Sequence, residues 1–178
     1  TQRLQLIRLD QGDAPFILEL LNTEAWKKFI GDRNVTSINE ASSYIQKIEA
    51  TSSVSYWTVK LKDTSASIGV ITFIKRDYLN YHDIGFAFLP QYSKLGYAYE
   101  ATMGALAALS TTYTSPEIVA TTLAENTNSI QLLQKLGFSY KNEITHENDK
   151  LRLFSISTEC CKLDKLCFDF YSLFTCSA

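Results

Sequence analysis

Between Asp83 and Ser110 the chain changes its apolar period across one short polar turn. Asp83-Ile84-Gly85-Phe86-Ala87-Phe88-Leu89 reads as a strand, and Pro90 stops it because proline cannot donate to a ladder. After Gln91-Tyr92-Ser93-Lys94-Leu95-Gly96 an alanine-rich helix spans about Ala98 to Ser110. Ala101, Ala105 and Ala108 leave its surface thin enough to lie close against a sheet. The start of such a helix carries unpaired N–H groups and about half a positive charge, which suits a phosphate. Gly96 lets backbone approach an anion with no Cβ between them. A strand, turn and helix with one glycine is common, and alone it does not identify a ligand.

The flanking segments set the rest of the frame. Leu4 to Leu9 alternates as a strand, and Asp13 with Pro15 opens a helix striped by Phe16, Ile17, Leu20 and Leu21. Trp26, Phe29 and Ile30 form a short helical stretch ended by Gly31. Ser37-Ile38-Asn39-Glu40 has the form of a capping box, and Tyr44, Ile45 and Ile48 continue that helix. Tyr56–Leu61 and Ser67–Ile74 flank turn residues and read as a hairpin, with Asp83–Leu89 in the same antiparallel sheet. Ile118–Leu123 is a short strand, Thr127–Lys135 a helix closed by Gly137, and the last strands open at Phe138 and end at Ile156. The expectation is an α+β fold over residues 1–156: one mostly antiparallel mixed sheet with helices on both faces.

Composition narrows the function. The 178 residues suffice for one ordinary domain. Seventeen basic against nineteen acidic residues give a net charge of −2, without the basic footprint of a nucleic-acid binder. No apolar run approaches the roughly 20 residues that span a bilayer. Thr1-Gln2-Arg3-Leu4 lacks the layout of a signal peptide, so a cytoplasmic location is expected, with no membrane partner. Cys160, Cys161, Cys167 and Cys176 are the four cysteines, and none has zinc spacing. Neither a metal nor a cysteine nucleophile is expected.

Further segments carry a resemblance. Asn126-Thr127-Asn128-Ser129 opens the last helix and Lys135-Leu136-Gly137-Phe138 closes it. With Thr1–Leu4, Phe29-Ile30-Gly31-Asp32-Arg33, Ile84-Gly85-Phe86 and Gly96-Tyr97-Ala98-x-Glu100-Ala101, their order and spacing resemble the GNAT (acyl-CoA N-acyltransferase) superfamily. The likeness covers about residues 2–156 and looks most like the branch of ribosomal-protein alanine N-acetyltransferases. It implies acetyl-CoA as co-substrate and an amine as acceptor, on a protein N-terminus or a small molecule. It also implies a pyrophosphate turn, Q/R-x-x-G-x-G/A, over Gln91 to Gly96, with amides of Lys94, Leu95, Gly96, Tyr97 and Ala98 on the phosphates. Phe88 and Leu89 would pair with pantetheine, Asn126 would touch its arm, and Ser129 would sit near the sulfur. The chain departs from the pattern at Lys94, where the family's first glycine stands; a left-handed backbone there costs a lysine about 1–2 kcal/mol.

Acetyl transfer needs a neutral amine, a stabilised carbonyl oxygen and a thiolate that can leave, and no side-chain nucleophile. Asp83 is the candidate base: the resemblance implies an acid facing the amine at the start of this strand, and burial beside apolar residues would raise its pKa; a surface acid at a strand start is the alternative. His82 falls on the opposite face of a regular strand. Ser129 is the candidate thiolate donor, with Tyr97 and Tyr140 as substitutes, and a backbone N–H near Phe88 or Leu89 is the candidate oxyanion donor. Trp26, Phe29, Arg33, Tyr44 and Trp57 are candidates to line the acceptor site, and for each aromatic a core role competes. A non-catalytic module that binds CoA or a partner is the alternative function. The aromatic segment 157–178 has no assigned role, and a monomer or a homodimer fits the sequence equally.

Overall fold

In the computed structural model, which describes residues 1–161, the chain runs through seven strands and five α-helices. These are β1 (Leu4–Arg8), α1 (Ala14–Leu21), α2 (Glu24–Phe29), α3 (Ile38–Glu49), β2 (Val54–Leu61), β3 (Ser67–Ile74) and β4 (Asp83–Phe88). There follow α4 (Tyr97–Thr112), β5 (Glu117–Leu123), α5 (Thr127–Lys135), β6 (Ser139–His146) and β7 (Asp149–Ser157). The aromatic segment lies outside the described residues from position 162 onward. Before it, Thr158 donates to the Ser115 and Pro116 carbonyls, and Cys161 is buried in the larger core. Among the described residues no helix is long and apolar enough to cross a membrane.

Local chemistry explains most boundaries. The Ser37–Glu40 capping box forms as its spacing predicts, an arrangement in which the capping serine alone is worth about 1 kcal/mol. Asp13 differs from expectation. It holds the N-cap position of α1, but its side chain makes no capping bond; Asp10 caps the 3-10 turn before it, while Asp13 accepts from the Thr58 hydroxyl at 2.7 Å and pairs with Lys60 at 3.0 Å. That buried acid ties the start of α1 to β2.

The strands form one sheet in the order β1-β2-β3-β4-β5-β7-β6. Every neighbouring pair is antiparallel except β4 and β5, which the α4 crossover makes parallel. The mostly antiparallel mixed sheet with helices on both faces agrees with the sequence reading. Tyr56, Thr72 and Gly85 stand opposite one another on β2, β3 and β4 and share one face. Helices α1 and α3 cover that face through Ile17, Leu20, Leu21, Ala41 and Ile45. On the other face Val59, Ile71, Phe73 and Ile84 pack under Ala101, Ala105 and Leu106 of α4. Each such fully buried Leu or Ile contributes about 1.5–3 kcal/mol.

Candidate active site

The sheet comes apart in its middle. A single bridge, Asp83 to Val119, joins β4 to β5, although both strands continue beyond it. At that bridge the Val119 N–H donates to the His82 carbonyl at 3.0 Å. A parallel ladder would send the next inward amide of β5, that of Thr121, to the Ile84 carbonyl. Instead the Thr121 N–H donates to Asp83 Oδ1 at 3.0 Å. Leu89 N donates to the Ile68 carbonyl of β3, so by alternation the backbone groups of Phe86 and Phe88 face the gap. A strand edge of this kind has donors and acceptors that want a partner. Leu89 therefore corrects the sequence reading. Its N–H is taken by Ile68, its carbonyl accepts from Tyr92, and its side chain is buried, so it cannot pair with a ligand arm. Phe86 takes its place on the open edge.

The C-terminal end of that edge leads to the phosphate-type turn. Lys94 has φ +62° and Gly96 φ +81°, so both turn positions are left-handed. Gly96 is the N-cap of α4 and has no side chain with which to cap it. The N–H groups of Tyr97, Ala98 and Tyr99 therefore lack an intrahelical carbonyl. Lys94, Leu95 and Gly96 are exposed, whereas Gln91 reaches to Glu19 of α1 at 3.3 Å. Arg3, to which the sequence assigned no role, straps the turn. Its Nε pairs with Glu100 at 2.6 Å, its Nη1 donates to the Leu95 carbonyl at 3.2 Å, and its guanidinium lies 4.5 Å over the Tyr97 ring. Burial pushes the Glu100 carboxyl up, but the Arg3 N–H, the Thr1 hydroxyl and the Arg3 guanidinium outweigh it and hold it below its ordinary value.

Around the point of parting, on the face of α1 and α3, polar and aromatic groups converge. Asp83 is buried, with Oδ2 on Arg76 Nε at 2.6 Å. Burial raises its pKa, against the pull of Arg76 and of the Thr121 N–H and hydroxyl. Tyr78 stacks on His146 with ring centroids 3.7 Å apart, bringing the β3–β4 loop to the end of β6. Tyr56 is buried, and burial together with neighbouring Tyr44 pushes its phenol up, while Arg33 and Arg76 pull the other way. Tyr44 is partly buried against the core cluster that contains Tyr56, and Arg33 is exposed. At the far end of β5, Asn126 caps α5 by accepting the Ser129 N–H at 3.2 Å, and no hydrogen bond occupies the Ser129 hydroxyl among the described residues.

Other acceptor candidates are placed elsewhere. Trp26 is 3% exposed, in the core under α1 and α3, and cannot line a surface site. Trp57 lies on the opposite face of the sheet, lining a cavity of about 380 Å³ with Leu6, Ala105 and Leu109. Phe29 is half-buried at the end of α2 with Lys28 over its ring. His82 stacks on Phe73 and bonds Tyr113, on the α4 face as alternation predicts. Arg76, Tyr78, Thr121 and His146, which gather about Asp83 and the β3–β4 loop, were not singled out, and no local spacing in the sequence signals them.

Comparisons with known proteins agree with this architecture. The family profile described as an acetyltransferase (GNAT) domain matches residues 3–139. An uncharacterised N-acetyltransferase of Bacillus subtilis is 27% identical over 137 residues, which cover 77% of this chain and 79% of that one. Spermidine N-acetyltransferase from Vibrio cholerae, solved in complex with CoA and spermine, superposes with a TM-score of 0.76 at 18% identity, over 90% of this chain and 99% of that one. A GNAT-family acetyltransferase from Bacillus anthracis gives 0.75 at 24% identity, over 88% and 96%. With the profile spanning all but the last two strands and the same fold in those structures, the chain belongs to the GNAT family of N-acetyltransferases.

Proposed function

We propose that this protein transfers the acetyl group of acetyl-CoA to a primary amine, on a protein N-terminus or a small molecule, by direct attack. The observation that carries the reading is the open edge of β4 leading into the uncapped start of α4. Phe86 and Phe88 pair through their backbones with the pantetheine arm, and Asn126 steadies it from α5. The amides from Lys94 to Tyr99, with the Lys94 ammonium, take the pyrophosphate. Arg33, Tyr44, Tyr56 and Tyr78 border the acceptor's approach.

The proton balance assigns the remaining roles. Asp83 removes one proton from the acceptor ammonium, leaving a lone pair for attack. A backbone N–H of Phe86 or Phe88 stabilises the oxygen as charge gathers on it. The N–C bond forms, the C–S bond breaks, and the nitrogen's second proton reaches the sulfur by way of the Ser129 hydroxyl. The products are an amide and the free thiol.

Thiol release from acetyl-CoA, measured across a panel of alanine-terminal ribosomal-protein peptides, polyamines and amino acids, tests the proposal. Ser129→Ala should lower kcat about 10- to 100-fold, the worth of one hydrogen bond to a charged leaving group. Failure to bind CoA would remove the reading. Tight CoA binding with no turnover on any amine would favour the non-catalytic module.

A further inference from the structure

The carboxylate of Asp83 sits where the sheet stops zipping. We infer that Asp83 is also a positioning residue, a pin that keeps β4 and β5 apart by occupying the rung on which their ladder would otherwise continue. This deepens the proposed function and rests on it for the identity of what enters the gap.

Three observations carry the inference. The last bridge between the strands pairs Asp83 with Val119, whose N–H donates to the His82 carbonyl. The next β5 amide able to reach β4 is that of Thr121, and Asp83 Oδ1 holds it at 3.0 Å, with the Thr121 hydroxyl on the same oxygen at 3.4 Å. Asp83 belongs to β4 itself, one residue before Ile84, whose carbonyl a continuing ladder would use. A side chain has been substituted for a main-chain acceptor of its own strand. Since a side chain is longer than a carbonyl, Thr121 stands off β4, and the offset passes along both strands as they leave the bridge.

The arrangement is held from two sides. Arg76 Nε grips the other carboxylate oxygen at 2.6 Å, which fixes the rotamer that aims Oδ1 at Thr121. The carboxylate is only 3% exposed, so water does not compete for it. With Thr121 satisfied, the Ile84 carbonyl and the Phe86 and Phe88 edge stay available. Without an acceptor on residue 83, the Thr121 N–H would be left buried and unpaired, and the nearest remedy is the Ile84 carbonyl. Closing that rung narrows the gap.

Two variants separate the pin from the base. Asp83→Asn keeps an oxygen for the buried Thr121 N–H, its amide NH2 turning the part-exposed Arg76 guanidinium out to solvent, but cannot take a proton; Asp83→Ala removes both. Calorimetric titration should show CoA affinity within threefold of wild type for Asp83→Asn and weakened at least tenfold for Asp83→Ala, while both lose kcat. Equal CoA affinity in wild type and Asp83→Ala, or equal loss in both variants, would overturn the pin. Amide exchange on the ligand-free proteins reads the gap without any co-substrate. Phe86 N–H should exchange at least tenfold more slowly in Asp83→Ala, as β5 closes on it, and at the wild-type rate in Asp83→Asn. Unchanged exchange in Asp83→Ala overturns the pin even if wild type binds no CoA, whereas slowed exchange without CoA binding would sink only the functional reading. Should Asp83→Ala fail to fold, Asp83→Asn decides alone: a loss of CoA affinity above tenfold counts against the pin, and retention within threefold supports it.

Discussion

At the scale of single residues, Lys94 combines two opposed effects. Its φ of +62° costs a side-chain-bearing residue about 1–2 kcal/mol, while its positive charge belongs to an exposed residue two positions before Gly96, the N-cap of α4. Lys94→Gly should therefore raise the melting temperature of the free protein by a few degrees, at about 2–4 °C per kcal/mol for a chain of this length. It should also weaken CoA binding severalfold and flatten its salt dependence, because one screened attraction is gone. Calorimetry at two ionic strengths checks both, and tighter binding in the variant would show that strain outweighs charge. Arg76 allows a second prediction. Burial lifts the Asp83 carboxyl above its ordinary 3.8, and Arg76 partly restrains that rise. Because the folded pKa is raised, the folded state binds the proton more tightly, so this group's contribution to stability declines as pH climbs from the unfolded value through the folded one. The proposed base role needs the ionised form, so the acid limb of kcat/KM should lie above the usual carboxylate range. Arg76→Met removes the restraint and should move that limb further up in pH; a limb that stays put or moves down would take the base role from Asp83.

Among elements, Arg3, the residue before β1, ties the exposed turn residues Lys94, Leu95 and Gly96 to the first turns of α4. Arg3 touches Glu100, the Leu95 carbonyl and the Tyr97 ring at once, and its side chain is about half exposed, so the expected stability effect stays below about 1 kcal/mol. Its effect on binding should be larger. Arg3→Ala should raise KM for acetyl-CoA about tenfold with kcat within twofold, and Arg3→Lys should recover only part, since a lysine lacks the fork that spans two acceptors. Equal losses in kcat and kcat/KM would point to a role in the chemical step instead. The Glu100 side of the strap has a clear pH sign. Its carboxyl is held low, so its stabilisation is complete above the ordinary glutamate range and fades only as pH falls through the depressed value. Much at this scale was legible in the sequence, because periods and punctuation are local. The β4–α4 junction, the hairpin and the Ser37 capping box all follow from residues within a few positions of each other. What joins the elements was not. Asp83 meets Thr121 across 38 positions and Arg3 meets Glu100 across 97, and no spacing rule encodes either. Strand parity was visible, but which helix covers which face was not. Trp57, a candidate for the acceptor site, thus falls beneath α4, while its neighbour Tyr56 lies on the face that α1 and α3 cover.

Over the described residues the molecule is two half-sheets joined at one bridge. Strands β1 to β4 carry α1, α2 and α3; strands β5, β7 and β6 carry α5; helix α4 and the Asp83–Val119 bridge connect them. Between the halves a ligand arm would supply the missing strand, so binding should act as sheet completion rather than as the filling of a closed pocket. CoA at 100 times its dissociation constant adds about 2.7 kcal/mol, which for a chain of this length is about 5–10 °C in melting temperature. Total stabilisation cannot distinguish a bridging ligand from one held on a single half, but the pattern of amide exchange can. Groups that the ligand pairs directly, Phe86 and Phe88 on the edge and Tyr97 to Tyr99 at the start of α4, should slow most. Amides of β5 and β7 should follow if the two halves open against each other about the single rung, because the ligand then restrains that hinge. Protection confined to the pyrophosphate turn, with the β4 edge exchanging as before, would mean that the coenzyme is held by its phosphates alone and that the open edge has another purpose.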